Sequence, residues 1–207
     1  AGKSTLLAIL ASLIKPTSGK VLLDGSDLLS DPFYLRKIVG YVPQDIALYD
    51  ELTVRDNLQF WLGKQKSRSS GKNIETIAND MKLSDVLGKK TGILSGGMKR
   101  RLNMAVALLN HPKLILLDEP LAGVDIKTQA TIAAHLRHLS ELGNIIIMSS
   151  HNPEMVHSLG SKILMLDQGE QIFFGSLKDA YGLVEEQEIN PLREVIDRKY
   201  HLFGKGD

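Results

Sequence analysis

Two adjacent carboxylates and two adjacent glycines are the residues of this chain whose types and spacing best fit chemistry. Asp118 and Glu119 directly follow the apolar run Leu114-Ile115-Leu116-Leu117, and Pro120 follows them. Twenty residues earlier begins Leu94-Ser95-Gly96-Gly97-Met98, a stretch that offers backbone N–H groups to an anion. A third block stands at the start, where Gly2-Lys3-Ser4-Thr5 matches the end of the phosphate-binding pattern G-x-x-x-x-G-K-[ST] and runs into apolar Leu6 to Ile14. There a helix N-terminus would face the phosphates, Lys3 would reach the β- and γ-phosphates, Ser4 would be a Mg²⁺ ligand and Thr5 a further donor. A lone Asp-Glu is usually a solvated turn, and a lone Gly-Lys-Ser-Thr an ordinary helix cap. Together they describe a nucleotide-hydrolysing site.

The elements that must hold these residues alternate between helix and strand patterns, which implies an α/β fold. Leu114 to Leu117 is too short to span a membrane and suits a strand buried on both faces of a parallel sheet. Asp118 and Glu119 then lie at its carboxyl end, where open α/β sheets bind ligands. Lys15 to Gly19 reads as a stop, Lys20 to Leu23 with Asp24-Gly25 as a strand and turn, and Lys37 to Val42 as a strand ending at Gln44. Between Asp45 and Ile93 the pattern weakens into a helical insertion containing a polar loop, Lys64 to Asn73. Gly96 and Gly97 open a helix through about Leu109, with Leu102, Ala105, Val106 and Leu109 as its apolar face. A helix from Ile126 to about Leu142 precedes the strand Ile145 to Met148. Lys162 to Asp167 and Gln171 to Phe174 pair as a hairpin around Gly169, and a helix runs on to Tyr181.

Composition narrows the function classes. The chain has 207 residues, 43% hydrophobic and 24% charged, which suits a single globular domain. Its net charge of +1 creates no field to attract nucleic acid, and it has no cysteine for disulfides or thiolate metal sites. No stretch approaches the ~20 apolar residues of a membrane helix, so direct membrane insertion is not expected.

In their order the motifs resemble those of the ATP-binding cassette ATPases that power transporters, from Ala1 to about Gly175. Gly2 to Thr5 is similar to the end of Walker A, Tyr41-Val42-Pro43-Gln44 to the Q-loop, Leu94 to Met98 to the signature and Leu114 to Glu119 to Walker B. Leu121-Ala122-Gly123-Val124-Asp125 resembles the D-loop, and Ser149-Ser150-His151 the switch-histidine strand end. The signature ends in Met98 where the family usually has Gln, a form that resembles multidrug and polysaccharide exporters. The first glycine of Walker A would precede Ala1, which places the opening strands and the adenine-stacking aromatic outside this sequence.

The resemblance implies a P-loop NTPase with a mainly parallel central sheet and an inserted helical subdomain at about 45–93. The cassette would occupy 1–182, and 183–207 is a tail without a readable role. ATP and Mg²⁺ would be bound, with Asp118, Ser4 and Gln44 toward the metal. Glu119 would act as general base on the attacking water, Gln44 as a γ-phosphate sensor, and His151 as a γ-phosphate contact. Ser95, Gly96 and Gly97 would complete the site of a facing subunit, with Asp125 near the seam. The expected whole is the ATPase subunit of an exporter, peripheral on the inner, cytoplasmic face of the membrane. Its partners would be a second ATPase subunit and a membrane-spanning permease. The alternative is a non-transport cassette acting on nucleic acid or ribosomes, for which the chain shows neither paired cassettes nor strong basic patches.

Overall fold

The structure, a computed structural model, describes residues 1–62 and 70–181. These fall into two bodies, Ser4–Ser149 and Ala1–Lys3 with the described residues from Ser150 onward.

In the larger body, helix α1 (Lys3–Leu10) starts at the Gly-Lys-Ser-Thr block and ends earlier than the apolar run to Ile14 suggests. Ser12 takes a left-handed φ of 56°, which turns the chain out of the helix. The strand expected over Lys20 to Leu23 shrinks to β1 (Leu22–Leu23), paired antiparallel with β2 (Ser26–Asp27).

Helix α2 (Pro32–Ile38) is absent from the sequence reading, which ran a strand from Lys37. Its start obeys ordinary capping rules: the Asp31 carboxylate accepts from the N–H groups of Phe33 and Tyr34, each at 3.0 Å, and Pro32 fills the first helical position. Strand β3 (Val39–Val42) therefore begins two residues later than expected.

The insertion is helical as anticipated, with α3 (Val54–Leu62) and α4 (Ser70–Asp80). Of the expected polar loop, residues 64–69 lie outside the described residues and 70–73 belong to α4. Polar residues there are no obstacle, because α4 is amphipathic and buries Ile74, Ile77 and Ala78 at helical spacing. Asn57, fully buried in α3, secures this region: its amide nitrogen donates to the Tyr49 carbonyl and the Thr91 hydroxyl, each at 2.9 Å. Its side-chain oxygen accepts from the Tyr49 N–H at 2.9 Å.

Helix α5 (Gly96–Leu108) buries Leu102, Ala105 and Leu109 as expected, together with Met104 and Leu108. Val106 is only half-buried, and the polar Arg100 and Asn103 are buried instead. Strand β4 (Leu114–Leu117) is buried throughout. It lies between β3 and β5 (Ile145–Met148) in a parallel sheet, with helix α6 (Ile126–Glu141) as the crossover between β4 and β5.

One face of the sheet, through Leu114 and Leu116, joins Leu7, Leu28 and Leu35 in a core. On the other face Gly40 of β3 meets α5, where a Cβ would stand 2.4 Å from the Ala107 carbonyl oxygen. Only glycine permits that approach.

The smaller body holds α7 (Pro153–Leu159), β6 (Lys162–Asp167), β7 (Glu170–Ser176) and α8 (Leu177–Tyr181). Strands β6 and β7 form the expected hairpin, turning at Gln168 and Gly169 with φ of 45° and 88°. Helix α7 was not foreseen, although Asn152 caps it and Pro153 opens it. Ile163, Met165 and Ala180 are its small core. The Gly169 N–H donates to the Ala1 carbonyl at 3.3 Å, so the hairpin turn meets the start of the chain. The tail at 183–207 lies outside the described residues.

Candidate nucleotide site

The parallel register brings three strand ends level. Val42, Leu117 and Met148 are side by side, and the ladder continues one residue further through Asp118 N–H to Val42 O and Ser149 N–H to Leu117 O, both 2.9 Å. Pro43-Gln44, Asp118-Glu119 and Ser149 thus leave the sheet at one edge, the ligand-binding edge of open α/β sheets.

Asp118 is only 3% exposed. A buried carboxylate needs partners, and its Oδ1 accepts from the Ser149 hydroxyl at 2.6 Å. The same hydroxyl oxygen accepts from the Glu119 N–H at 2.9 Å. Ser149 therefore bridges the two acids. Nearby, the Tyr41 hydroxyl is held above the ordinary phenol range, first by burial and then by the negative charge of Asp118.

Glu119 is half-buried and has a φ of 48°, in the left-handed region that a glutamate rarely adopts. Its N–H is held by Ser149, while its carbonyl accepts from Ala122 N–H at 3.2 Å and from Arg100 Nη2 at 3.4 Å. Arg100 Nη1 also donates to the carbonyls of Gln44, at 2.8 Å, and Pro43, at 3.5 Å. Burial lowers the pKa of Arg100, opposed by the charges of Asp45 and then Glu119. The Gln44 side chain itself is exposed.

At the start of α5 the Ser95 hydroxyl accepts from the Met98 N–H at 3.3 Å, capping the helix. A hydroxyl used as an acceptor keeps its own proton to donate. Ser95 and Gly96 are exposed, and the first N–H groups of α5 have no partner within the helix. Gly97 faces Asp125 and Thr128, since a Cβ there would lie 2.9 Å from Thr128 Oγ1 and 3.1 Å from Asp125 Oδ2. Asp125 caps α6, accepting from the Thr128 N–H at 2.9 Å and hydroxyl at 2.7 Å. These bonds hold its carboxyl below the usual range.

The structure thus brings Asp118, Glu119 and the Gln44 backbone together, and separately Gly97 with Asp125. Ser4 and Thr5 are exposed in the first turn of α1. Gly2, with a φ of 95°, Lys3 and the exposed His151 belong to the smaller body. Oxygen donors from Ser4, Gln44 and Asp118 form a set that suits a hard cation such as Mg²⁺. Sequence reasoning missed the roles of Ser149 and Arg100. The signal for Ser149 was its place at the end of a strand adjacent to β4; for Arg100 it was a charge on the buried side of a helix.

A family model described as ABC transporter matches residues 1–122. The chain belongs to the ABC transporter family. It has the P-loop ATPase fold of that family. Among its relatives, the linearmycin resistance ATP-binding protein LnrL of Bacillus subtilis is 35% identical over 86% of this chain and 58% of its own length. The ABC transporter ATP-binding protein NatA of the same species is 30% identical over 92% of this chain and 78% of its own. The molybdate/tungstate import ATP-binding protein WtpC of Pyrococcus abyssi is 33% identical, covering 96% and 56%. The chain therefore spans little more than half the length of LnrL and WtpC.

A solved ATP-binding cassette, a dimer in a post-hydrolysis state bound to ADP and Pi, superposes with a TM-score of 0.75 at 30% identity. That superposition covers 85% of this chain and 81% of the other. One of these ABC relatives is named for import and another for resistance, so membership of the family does not set a direction of transport.

Proposed function

We propose that this ABC chain is the ATP-hydrolysing subunit of a membrane transporter, and that the transporter exports. The observation that carries the reading is the Asp118–Ser149–Glu119 network at the carboxyl end of a buried parallel strand, with the Gln44 loop beside it. The Met98 form of the signature and the likeness to a resistance protein favour export. Residues 1–182 would form the cassette, with 45–93 as its helical part.

Each residue has a task that its chemistry suits. Lys3 and the first N–H groups of α1 bind phosphate oxygens, with Ser4 and Thr5 adding hydroxyl donors. Asp118, with Ser4 and Gln44, would hold Mg²⁺, which would supply neutralisation of phosphate charge. Glu119 accepts a proton from the attacking water as general base. Its left-handed backbone is pinned on both sides, through its N–H by Ser149 and through its carbonyl by Ala122 and Arg100. Gln44 senses the γ-phosphate and water, and His151 steadies the γ-phosphate charge. Ser95 donates its hydroxyl proton, and Gly96 and Gly97 their N–H groups, to the nucleotide of a second subunit. Asp125 would lie at that seam, and ATP would bridge the pair.

Among the described residues no helix is long and apolar enough to cross a membrane. The reading assigns the membrane-spanning permease to a partner, with this subunit on the cytoplasmic face. The exposed aromatic cluster of Tyr49, Phe60 and Trp61 in the helical part supports a docking surface there. The test is Mg-ATP turnover by the intact protein beside Glu119→Gln, with oligomeric state read in ATP. The reading expects turnover to fall by about 10²–10⁴-fold in the variant, with an ATP-dependent dimer retained. Full-rate turnover by Glu119→Gln would refute the catalytic assignment.

A further inference from the structure

Helix α5 does more than present Gly96 and Gly97. Four side chains on its first two turns reach separate segments of the chain. Lys99 pairs with Asp50 at 2.7 Å, Arg101 donates to the carbonyls of Met81 and Lys82 at the end of α4, and the Asn103 side-chain oxygen accepts from the Ala47 N–H. Arg100, 7% exposed, reaches the carbonyls of Gln44, Pro43 and Glu119. A guanidinium is the one side chain whose planar fork can donate to several fixed acceptors at once.

The geometry at Glu119 gives this contact a specific consequence. A residue's side-chain direction is set by the peptide planes on either side of its Cα. Ser149 holds the plane before Glu119 through the N–H. The plane after it is held through the carbonyl by Ala122 N–H at 3.2 Å and by Arg100 at 3.4 Å, the latter being the side chain that also reaches Gln44. Arg100 also holds the carbonyl of Gln44, at the other strand end.

We propose that Arg100 is a positioning residue for ATP hydrolysis, setting the backbones of Gln44 and Glu119 in register with each other and with the signature helix. This rests on the roles given above to Gln44 and Glu119. Arg100 touches no reacting atom; it acts through the two residues that do. A shift of α5 is transmitted by this one side chain to both strand ends. The signature face and the hydrolytic carboxylate are thereby coupled within one subunit.

The test uses the intact protein with Arg100→Lys, Arg100→Met, Gln44→Ala, Glu119→Gln and the double variant Gln44→Ala/Arg100→Met. Turnover number, Mg-ATP affinity and melting temperature are measured for each. Misplacement of reacting groups by about an ångström costs on the order of 10²-fold in rate, so Arg100→Met should lose about that much in kcat. Arg100→Lys, which keeps the charge but lacks the planar fork, should lose about tenfold. Mg-ATP affinity should stay near wild type, and melting should stay near wild type in Arg100→Lys. The double variant should lose less than the product of the two single losses, because part of the Arg100 effect runs through Gln44.

Wild-type kcat in Arg100→Lys, losses confined to affinity or melting, or multiplicative losses in the double variant would each overturn the proposal. If Arg100→Met does not fold while Arg100→Lys turns over normally, the residue is only a packing element and the proposal also fails. Full turnover in Glu119→Gln would sink the underlying reading instead. An inactive Glu119→Gln beside fully active Arg100 variants would sink this inference alone.

Discussion

At the level of single residues, the chain shows how few atoms hold its acids in place. The Ser149 hydroxyl serves two partners at once, donating to Asp118 and accepting from Glu119. Asp125 is similarly committed, with both carboxylate oxygens on Thr128. Its carboxyl is held below the ordinary range, so its contribution to folding is present above the unfolded pKa and lost as pH falls through the lower folded value. Asp125→Ala should therefore melt earlier than wild type at neutral pH. The difference should vanish below the usual carboxylate range, as thermal melts across pH would show. The place of Asp118 and Glu119 at the end of a buried strand was legible from the apolar run before them, whereas Gln44 and Asp125 were singled out through the family resemblance. Ser149 as a bridge and Arg100 as a clamp were not, because their bonds join segments 30 and 19 residues apart in sequence. Such partners are decided by strand pairing and helix packing, which a linear pattern does not record.

At the level of elements, legibility tracked the strength of the local signal. The uniformly apolar Leu114 to Leu117 became the central strand, and the Asn152-Pro153 and Asp31-Pro32 starts became helices that apolar periodicity had hidden. Capping chemistry was the better guide there, since both helices are only seven residues long and carry little periodic pattern. The seating of α5 on β3 depends on Gly40, where any Cβ would collide with the Ala107 carbonyl and the Pro112 ring. Backbone cannot yield as a flexible side chain does. Gly40→Ala should destabilise the fold by about 1–3 kcal/mol, the usual cost of overpacking a well-filled interior. Chemical denaturation would measure it, and an unchanged midpoint would show that the helix can slide.

For the molecule as a whole, the parallel sheet and its helices match a dimeric ADP-bound cassette closely enough to fix the fold. The docking surface proposed above is the exposed aromatic cluster. Phe60 and Trp61 are 54% and 41% exposed and stack edge-on at 5.5 Å. Surface substitutions away from the core usually change stability by less than about 0.5 kcal/mol. On the proposed reading, Phe60→Ser with Trp61→Ser should lower stability only modestly and leave basal ATP turnover near wild type while uncoupling turnover from the proposed membrane partner. Stimulation of the ATPase by that partner is the quantity to follow, and undiminished stimulation would move the docking surface elsewhere.

If Glu119 is the general base proposed above, its left-handed backbone sets activity and stability against each other. A side chain other than glycine or asparagine in that conformation costs roughly 1–2 kcal/mol. Glu119→Gln removes the charge and keeps the strain, whereas Glu119→Asn removes both. The asparagine variant should be as inactive as the glutamine variant yet melt at a higher temperature. On the proposed role of Glu119, drift toward a sturdier protein at this position would lead away from catalysis, and selection for turnover would be what keeps the glutamate there.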